Sequence, residues 1–191
     1  MAILISSKTV EGAKNRWATS HEAFNDALAL YGRKFSVDVC AEPQTAKVDR
    51  FYVSPEWLNS QPSLDIIKKH SDKKIVGFDA LQCDWDHDWW CNPPFDLKKE
   101  FLEWAHIQAV AGRGGMMMIP YEPLTGWWRK YVTNRATAVF EPDGRYQFYE
   151  IDGVTKKQGA NFGTVFVLFT PHAIPEAIRI PFKRGIGNAK I

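Results

Sequence analysis

The chain has 191 residues, of which 45% are hydrophobic and 24% are charged. This balance is typical of a globular protein with one sizeable core, so we predict a single domain over residues 1–191. The net charge of +2 is too small to indicate nucleic-acid binding by itself. No segment is apolar for long enough to cross a membrane, and the three cysteines lack the paired spacing of a zinc site.

Helical and strand patterns alternate along the chain. The predicted helices cover residues 20–31, 98–111, 125–132 and, as one turn, 175–179. The predicted strands cover residues 34–38, 75–78, 89–91, 116–120, 136–140, 144–150 and 163–170. This alternation predicts an α/β fold with a largely parallel sheet and helices on both faces. Because the last strands follow one another closely, we expect an antiparallel pair at one edge of the sheet.

The four residues Asn92-Pro93-Pro94-Phe95 follow the short apolar strand 89–91. The amino nitrogen of a base such as adenine is a poor nucleophile, because its lone pair is delocalised into the ring. The Asn92 side-chain oxygen and the Pro93 carbonyl can accept its two hydrogens and direct the lone pair toward an incoming methyl group. Pro94 keeps the step extended, and Phe95 can stack on a base that has left the duplex. The motif therefore predicts methylation of a planar amino group without a metal.

Other short motifs stand in order around this one. They are Trp17-Ala-Thr-Ser20, Phe35-Ser-Val-Asp-Val-Cys-Ala41, Asp79-Ala-Leu81 with Asp84-Trp85, Trp127-Trp128, Gly144-Arg-Tyr-Gln-Phe148 and Gly163. Together they resemble the phage and prophage Dam-like family of DNA N6-adenine methyltransferases. The resemblance implies a Rossmann-like class I methyltransferase fold, S-adenosylmethionine as cofactor and double-stranded DNA as partner. It also implies a place in the cytoplasm of a bacterial host cell, with a role in restriction-modification or in regulation.

The resemblance implies a cofactor site as well. Its residues are Trp17, Thr19, Asp38, Ala41, Asp79 and Ala80. The segment with Trp17 and Thr19 would close over the methionine moiety, Asp38 would lie near the methionine ammonium, and Asp79 would accept from the amino group of the cofactor's adenine. From the residues alone, Trp17 equally suits a hydrophobic staple before a helix, and Asp38 equally suits a helix N-cap or a turn. For the role of Asp79, Asp84 is a weaker candidate. Many methyltransferases carry a glycine-rich loop after the first strand, and this chain has no glycine directly after Asp38.

Aromatic and basic residues interleave in two later segments, which is typical of a nucleic-acid groove. The predicted DNA-binding residues are Trp127, Arg129, Lys130, Arg145 and Tyr146. One of the adjacent pair Trp127 and Trp128 should pack in the core, because neighbouring helical residues face different directions. The basic run at 68–74 is either solvated surface or a phosphate contact. Sequence choice should come from loops within 121–135 and 141–162, and the resemblance suggests GATC as the target.

Three functions remain open at this point. The leading hypothesis is transfer of a methyl group from S-adenosylmethionine to the N6 amino group of adenine in DNA. The same four residues also suit an RNA base or a protein glutamine, since both present a planar amino group. A non-catalytic DNA-binding module is the alternative from another class. We predict no metal site, because His87 and the aspartates beside it stand at adjacent and alternate positions of one turn and should not converge on one ion.

Overall fold

The computed structural model describes residues 17–60, 74–158, 162–172 and 174–188. The strands are β1 Ala18–Thr19, β2 Val37–Asp38, β3 Arg50–Val53, β4 Lys74–Phe78, β5 Trp89–Cys91, β6 Gly115–Pro120, β7 Ala138–Pro142, β8 Phe148–Tyr149, β9 Thr164–Phe169 and β10 Ile178–Phe182. The helices are α1 His21–Tyr31, α2 Pro55–Asn59, α3 Lys98–Val110 and α4 Gly126–Trp128, which continues as the π-helical turn Arg129–Thr133. None of the described helices is long and apolar enough to cross a membrane.

Eight of the strands form one sheet in the order β10-β7-β9-β6-β5-β2-β3-β4, and β1 pairs with β8 in a separate two-stranded ribbon. Every pairing in the large sheet is parallel except those of β9, which runs antiparallel to both β6 and β7. The predicted α/β class, with a largely parallel sheet, is therefore confirmed.

The antiparallel pairing lies inside the sheet, which corrects the predicted edge position. After β7 the chain returns through β8 and inserts β9 between β6 and β7, so β9 runs against both neighbours. The chain then places β10 outside β7, in parallel. This strand also corrects the helical turn predicted at 175–179. Ile180 and Phe182 pack against the core, and residues that alternate in this way favour a strand over a helix.

Helices cover both faces of the sheet, as predicted. α1 packs on one face, where Trp90 contacts Phe24 at a ring-centroid distance of 5.4 Å. α3 and α4 pack on the other face, which contains Trp89. Adjacent residues of β5 thus enter opposite layers of core, because successive side chains of a strand point to opposite faces. The short apolar run 89–91 is fully buried for this reason.

The sheet contains a point at which the chain changes direction. From β2 the chain continues outward through β3 to β4, whereas β5, on the other side of β2, leads to β6. The connections therefore leave the β2–β5 boundary in opposite directions. Open α/β sheets bind their ligands in the crevice that forms at such a boundary, beyond the carboxyl ends of the strands. Asp38 and Asn92 lie at this crevice, at the ends of β2 and β5.

The last described residues return to α1. Asp26, which is fully buried on α1, accepts hydrogen bonds from the backbone N–H groups of Gly185 and Gly187 at 2.8 and 2.9 Å. Its carboxylate also accepts from the Tyr146 hydroxyl at 2.6 Å. One side chain therefore ties α1, the loop after β7 and the segment after β10 together.

Candidate active site

The Asn92 side chain has its orientation fixed by a neighbour. Its amide nitrogen Nδ2 donates to the backbone carbonyl oxygen of Trp17 at 3.3 Å. A carbonyl oxygen can only accept a hydrogen bond, so the NH₂ group of Asn92 must face it and Oδ1 must point elsewhere. Oδ1 is buried and has no hydrogen-bond partner within the described residues. Asn92 therefore presents a fixed, unpaired acceptor.

The backbone carbonyls of residues 93–95, in the loop after Asn92, differ in whether they accept a hydrogen bond. The Pro94 carbonyl accepts from the Leu97 backbone N–H at 3.0 Å, and the Phe95 carbonyl accepts from Lys98 Nζ at 2.9 Å. In the described part of the chain, no donor reaches the Pro93 carbonyl. The motif predicts that this carbonyl and Asn92 Oδ1 together accept the two hydrogens of an amino group.

Phe95 belongs to an aromatic cluster formed by Trp17, Phe95, Phe148 and Phe162. Phe95 meets the other three rings at centroid distances of 5.8, 5.8 and 5.2 Å, each at an interplanar angle of 82–83°. Edge-to-face packing of this kind is a favoured aromatic geometry. Phe95 is half-buried, so the cluster holds the ring while part of it stays accessible.

Asp38 lies at the end of β2 and is 3% exposed. Its Oδ1 accepts from the Cys40 backbone N–H at 3.3 Å, and its Oδ2 accepts from the Lys47 backbone N–H at 3.1 Å. These bonds brace the loop after β2, which contains no glycine. Both carboxylate oxygens of Asp38 are thus held in place at the carboxyl end of β2.

Asp79 follows β4 at the same edge of the sheet. Its backbone is left-handed, with φ of 53°, which is uncommon for a residue other than glycine. Its carboxylate accepts from the Leu81 N–H at 3.3 Å and starts a 3₁₀ turn. Asp84 instead pairs with Arg113 at 2.9 Å, beside the amino ends of β5 and β6. Of the two aspartates, only Asp79 lies at the carboxyl edge.

The three smaller residues of the predicted cofactor site are placed as follows. Thr19 is buried in β1, opposite Phe148 of β8. The Ala41 N–H donates to the Tyr52 carbonyl at 3.1 Å, which holds the loop after β2 against β3. Ala80 is buried beside Asp79, and its carbonyl accepts from the indole nitrogen of Trp85 at 2.8 Å.

The predicted DNA-binding residues separate into two groups. Trp127 is half-buried, with its indole bound to Glu122 at 2.9 Å. Arg129 and Lys130 are exposed and line a shallow groove of about 450 Å³ with Gly126, Asn134 and Arg135. Arg145 is exposed in the loop after β7.

Tyr146 has a different environment from these four residues. It is 5% exposed and donates to Asp26, so its ring packs in the core. This corrects the DNA-binding role predicted for it, because a buried ring cannot meet a duplex. Trp128 is also buried, which confirms that one member of the tryptophan pair belongs to the core. The basic run 68–74 lies outside the described residues except for Lys74, which begins β4.

Sequence reasoning missed two members of the aromatic cluster, Phe148 and Phe162. Phe148 reaches the site because β8 pairs with β1, which brings residues 18–19 opposite 148–149. A two-residue ribbon of this length has no hydrophobic period to detect. Phe162 stacks on Trp17 at 5.7 Å and 12°. Its position directly before Gly163, at the start of the strongest strand, is the signal that could have indicated it.

The acidic turn at 84–88 has a structural role. Asp86 pairs with Arg50 at 2.6 Å, and Asp88 accepts from the Tyr31 hydroxyl at 2.6 Å. Each carboxylate thus faces its own partner. Across the described residues, no group of three or more His, Cys, Asp or Glu side chains is placed to hold a metal ion.

Residues 59–184 match the family described as "DNA N-6-adenine-methyltransferase (Dam)". The match includes Asp79, the Asn92–Phe95 motif and the helix α4. Among solved structures, the "delta-N METTL16 MTase domain" aligns with 14% sequence identity and a TM-score of 0.41, over 78% of this chain and 81% of that chain. No protein of curated function matches the chain. The family match covers most of the chain, so this protein is a methyltransferase and belongs to the DNA N-6-adenine-methyltransferase (Dam) family.

Proposed function

We propose that the protein transfers a methyl group from S-adenosylmethionine to the N6 amino group of adenine in double-stranded DNA. The observation that carries this proposal is the pair of unused acceptors at Asn92 Oδ1 and the Pro93 carbonyl. Their neighbours hold the Asn92 amide and the turn in place, so the acceptors are oriented before a substrate arrives. Pre-oriented acceptors need no reorganisation at the moment of reaction.

In the proposed reaction, Asn92 Oδ1 and the Pro93 carbonyl bind the two amino hydrogens of the adenine. This draws the nitrogen toward tetrahedral geometry and aims its lone pair at the methyl donor. Phe95 stacks on the base once it has left the duplex, and base flipping gives the enzyme access to the amino group. The energetic contribution of the protein is therefore orientation and electrostatic stabilisation.

The residues at the carboxyl edge fit S-adenosylmethionine through the chemistry of their donors and acceptors. Asp38 is a buried carboxylate beside the crevice and suits the methionine ammonium, and Asp79 suits the amino group of the cofactor's adenine. Thr19, Ala41 and Ala80 would shape the walls around it. When bound, the cofactor supplies an electrophilic methyl group.

The DNA would lie across the rim formed by α4 and the loop after β7. Both segments begin after the carboxyl ends of strands that are parallel to β5, so both start at the same edge as Asn92. Arg129, Lys130 and Arg145 can neutralise phosphates there, and Trp127 adds an aromatic surface. Within one domain, the loops 121–135 and 141–162 would choose the target sequence, for which GATC is our proposal.

Substitution of Asn92 by Ala tests the mechanism. It removes one acceptor of the amino group, together with the hydrogen bond to the Trp17 carbonyl, and leaves the proposed cofactor carboxylates Asp38 and Asp79 in place. We expect Asn92→Ala to bind S-adenosylmethionine as the unsubstituted protein does, by calorimetry, while methyl transfer to DNA falls at least 100-fold, as for loss of one transition-state hydrogen-bond partner. Asn59→Ala, at an exposed asparagine that ends α2, is the matched control and should transfer normally. Unchanged transfer by Asn92→Ala would refute the mechanism.

The acceptor of the methyl group needs a separate experiment. The protein is incubated with labelled S-adenosylmethionine and separate pools of DNA, RNA and protein, and the label is followed into each. We expect label in DNA, at the N6 position of adenine. Label in RNA or in protein glutamine would assign the same chemistry to another substrate. Single-molecule sequencing of DNA from cells that express the protein then gives the target sequence, and reading a motif other than GATC would correct that part of the proposal.

A further inference from the structure

We propose that the indole N–H of Trp17 donates a hydrogen bond to a ring nitrogen of the target adenine, so that Trp17 recognises the base that Asn92 holds. The inference rests on the proposed function. It gives Trp17 a role in base recognition, in place of the cofactor contact that the family resemblance implies for this residue.

The first support is the position of the Trp17 backbone. Its carbonyl oxygen accepts from Asn92 Nδ2 at 3.3 Å. The residue that orients Asn92 is therefore Trp17 itself. Any base whose amino group is bound at Asn92 Oδ1 must lie within one side chain's reach of residue 17.

The second support is an unpaired donor. The Trp17 indole nitrogen is buried and has no hydrogen-bond partner among the described residues. Other tryptophans of this chain do satisfy their indole N–H, with donor–acceptor distances of 2.8–2.9 Å, namely Trp85, Trp89, Trp104 and Trp127. A buried, unsatisfied polar group is costly and requires an explanation. A ligand acceptor supplies one here, because the Asn92 acceptor beside it is unpaired as well.

The third support is that the indole ring is held in one orientation. Phe162 stacks on it at 5.7 Å and 12°, and Phe95 meets it edge to face at 5.8 Å. The Lys157 ammonium lies 5.4 Å from the ring centroid. A fixed ring gives its N–H a fixed direction, so little freedom is lost when a ligand accepts the bond.

The chemistry of the two unpaired groups selects a type of base. Asn92 Oδ1 requires a donor, and the Trp17 indole requires an acceptor. Adenine and cytosine carry an amino group next to a ring nitrogen that accepts, whereas guanine and thymine carry a carbonyl at the corresponding position. A carbonyl there would face Asn92 Oδ1, so the pair of groups would reject thymine and the O6 edge of guanine.

The test is a cycle between Trp17→Phe and analogues of the target adenine. Unmethylated duplexes that contain the enzyme's target sequence are made with adenine, 1-deazaadenine, 3-deazaadenine or 7-deazaadenine at the target position. Each analogue replaces one ring nitrogen by CH and keeps the N6 amino group. We expect one analogue to lower kcat/KM of the unsubstituted enzyme by about tenfold or more. That same analogue should cost Trp17→Phe nothing further, because its donor is already missing.

Trp104→Phe is the matched control, since Trp104 lies on α3 and donates to the Cys83 carbonyl. It should show the same penalty for each analogue as the unsubstituted enzyme. Equilibrium binding of the four duplexes gives the same comparison if Trp17→Phe transfers too slowly to measure. Equal penalties for each analogue in the unsubstituted enzyme and in Trp17→Phe would overturn the assignment, as would a loss confined to cofactor binding. Failure of the unsubstituted enzyme to methylate any adenine DNA would instead refute the proposed function.

Discussion

At the scale of single residues, the site depends on which hydrogen-bonding groups are used and which are left unpaired. The Pro94 carbonyl accepts a hydrogen bond within the turn, and the Phe95 carbonyl accepts one from Lys98. The amide nitrogen of Asn92 donates to the backbone carbonyl of Trp17. Among the described residues, no donor reaches Asn92 Oδ1 or the Pro93 carbonyl, the two acceptors that the proposed function assigns to an amino group. Under the proposed function, selectivity for an amino group would arise from the hydrogen bonds around the motif as much as from the motif.

Phe95 tests the stacking role at this scale. Phe95→Ala removes the face on which the base would stack, and such a loss costs about 1–3 kcal/mol per base. We expect kcat/KM for DNA to fall roughly 5- to 150-fold. Phe95→Tyr keeps the ring and should transfer nearly normally. Equal losses in both variants, measured by methyl transfer at low DNA concentration, would mean that Phe95 acts through packing of the loop.

The sequence was sufficient to propose the two acceptors but not to predict their surroundings. Asn92 and Pro93 are adjacent in the chain, so local chemistry alone indicates what they can do. The contact of Asn92 with Trp17 spans 75 positions, and it depends on a ribbon whose strands have two residues each. The strand propensity and the hydrophobic periodicity of a two-residue segment do not indicate which other segment it pairs with. For the same reason Tyr146 looked like a DNA contact, although Asp26, 120 positions away, holds it in the core.

At the scale of elements, the predicted sheet and the observed sheet agree where strands are apolar throughout. β5, β6 and β9 are buried over nearly their whole length, and runs of this kind are typical of central strands. β3 was not predicted, because prolines flank it and its four residues include one that is exposed. β10 is mostly exposed, so its pattern is too weak to distinguish a strand from a helical turn.

One glycine shows how closely these elements approach. A Cβ on Gly115, at the start of β6, would lie 2.2 Å from the indole of Trp89 and 2.3 Å from its carbonyl oxygen. Real Cβ atoms do not come so near, and Trp89 is fully buried and cannot move aside. Gly115 therefore allows β6 to pair with β5, the strand that carries the motif. The sequence pattern predicts that a helix ends near this glycine, but it does not predict that the indole ring of Trp89 packs against it.

At the scale of elements, substitutions beside α4 test whether this helix contacts DNA. Arg129 and Lys130 lie exposed on the groove beside it. Each phosphate that a cation neutralises steepens the salt dependence of binding by about 0.9 in a plot of log K against log salt. We expect Arg129→Ala and Lys130→Ala each to flatten this slope by about that amount, in titrations of a duplex over a range of salt.

Lys34→Ala is the control for these two variants. Lys34 is exposed before β2, at the amino edge of the sheet, which is opposite the proposed DNA rim. It carries the same charge on the other side of the molecule, so the salt slope should stay unchanged. A slope that falls equally in all three variants would indicate a diffuse effect of net charge and contradict a DNA contact at α4.

At the scale of the whole molecule, the buried carboxylate of Asp26 joins three distant parts of the chain. Its partners are 120, 159 and 161 positions away. The final 3₁₀ segment Ile186–Asn188 lies so close to α1 that a Cβ on Gly187 would come within 2.1 Å of the Asn25 carbonyl. Hydrogen bonds to a buried carboxylate stabilise the packing of these three parts against one another, and removing one partner would leave a buried group unpaired.

Tyr146 makes this connection sensitive to alkaline pH. Burial, the hydrogen bond to Asp26 and the negative charge of Asp26 raise the pKa of Tyr146 above its ordinary value of 10.0. Above pH 10 the unfolded chain therefore releases the tyrosine proton while the folded chain keeps it, and the free energy of unfolding falls as pH rises. The slope for one proton is about 1.4 kcal/mol per pH unit. Below pH 10 this contribution to stability is fully present.

Tyr146→Phe isolates this contribution. At pH 7 the variant lacks the hydrogen bond to Asp26, so its free energy of unfolding should be lower by about 1–3 kcal/mol. It should therefore unfold at a lower denaturant concentration. Between pH 10 and 11 the unsubstituted protein loses stability through Tyr146 whereas the variant does not, so the gap between them should narrow by up to about 1.4 kcal/mol. Burial also raises the pKa of Tyr31, but that effect is common to both proteins and cancels. Two denaturation curves that stay equally separated from pH 7 to pH 11 would show that Tyr146 does not link folding to protonation.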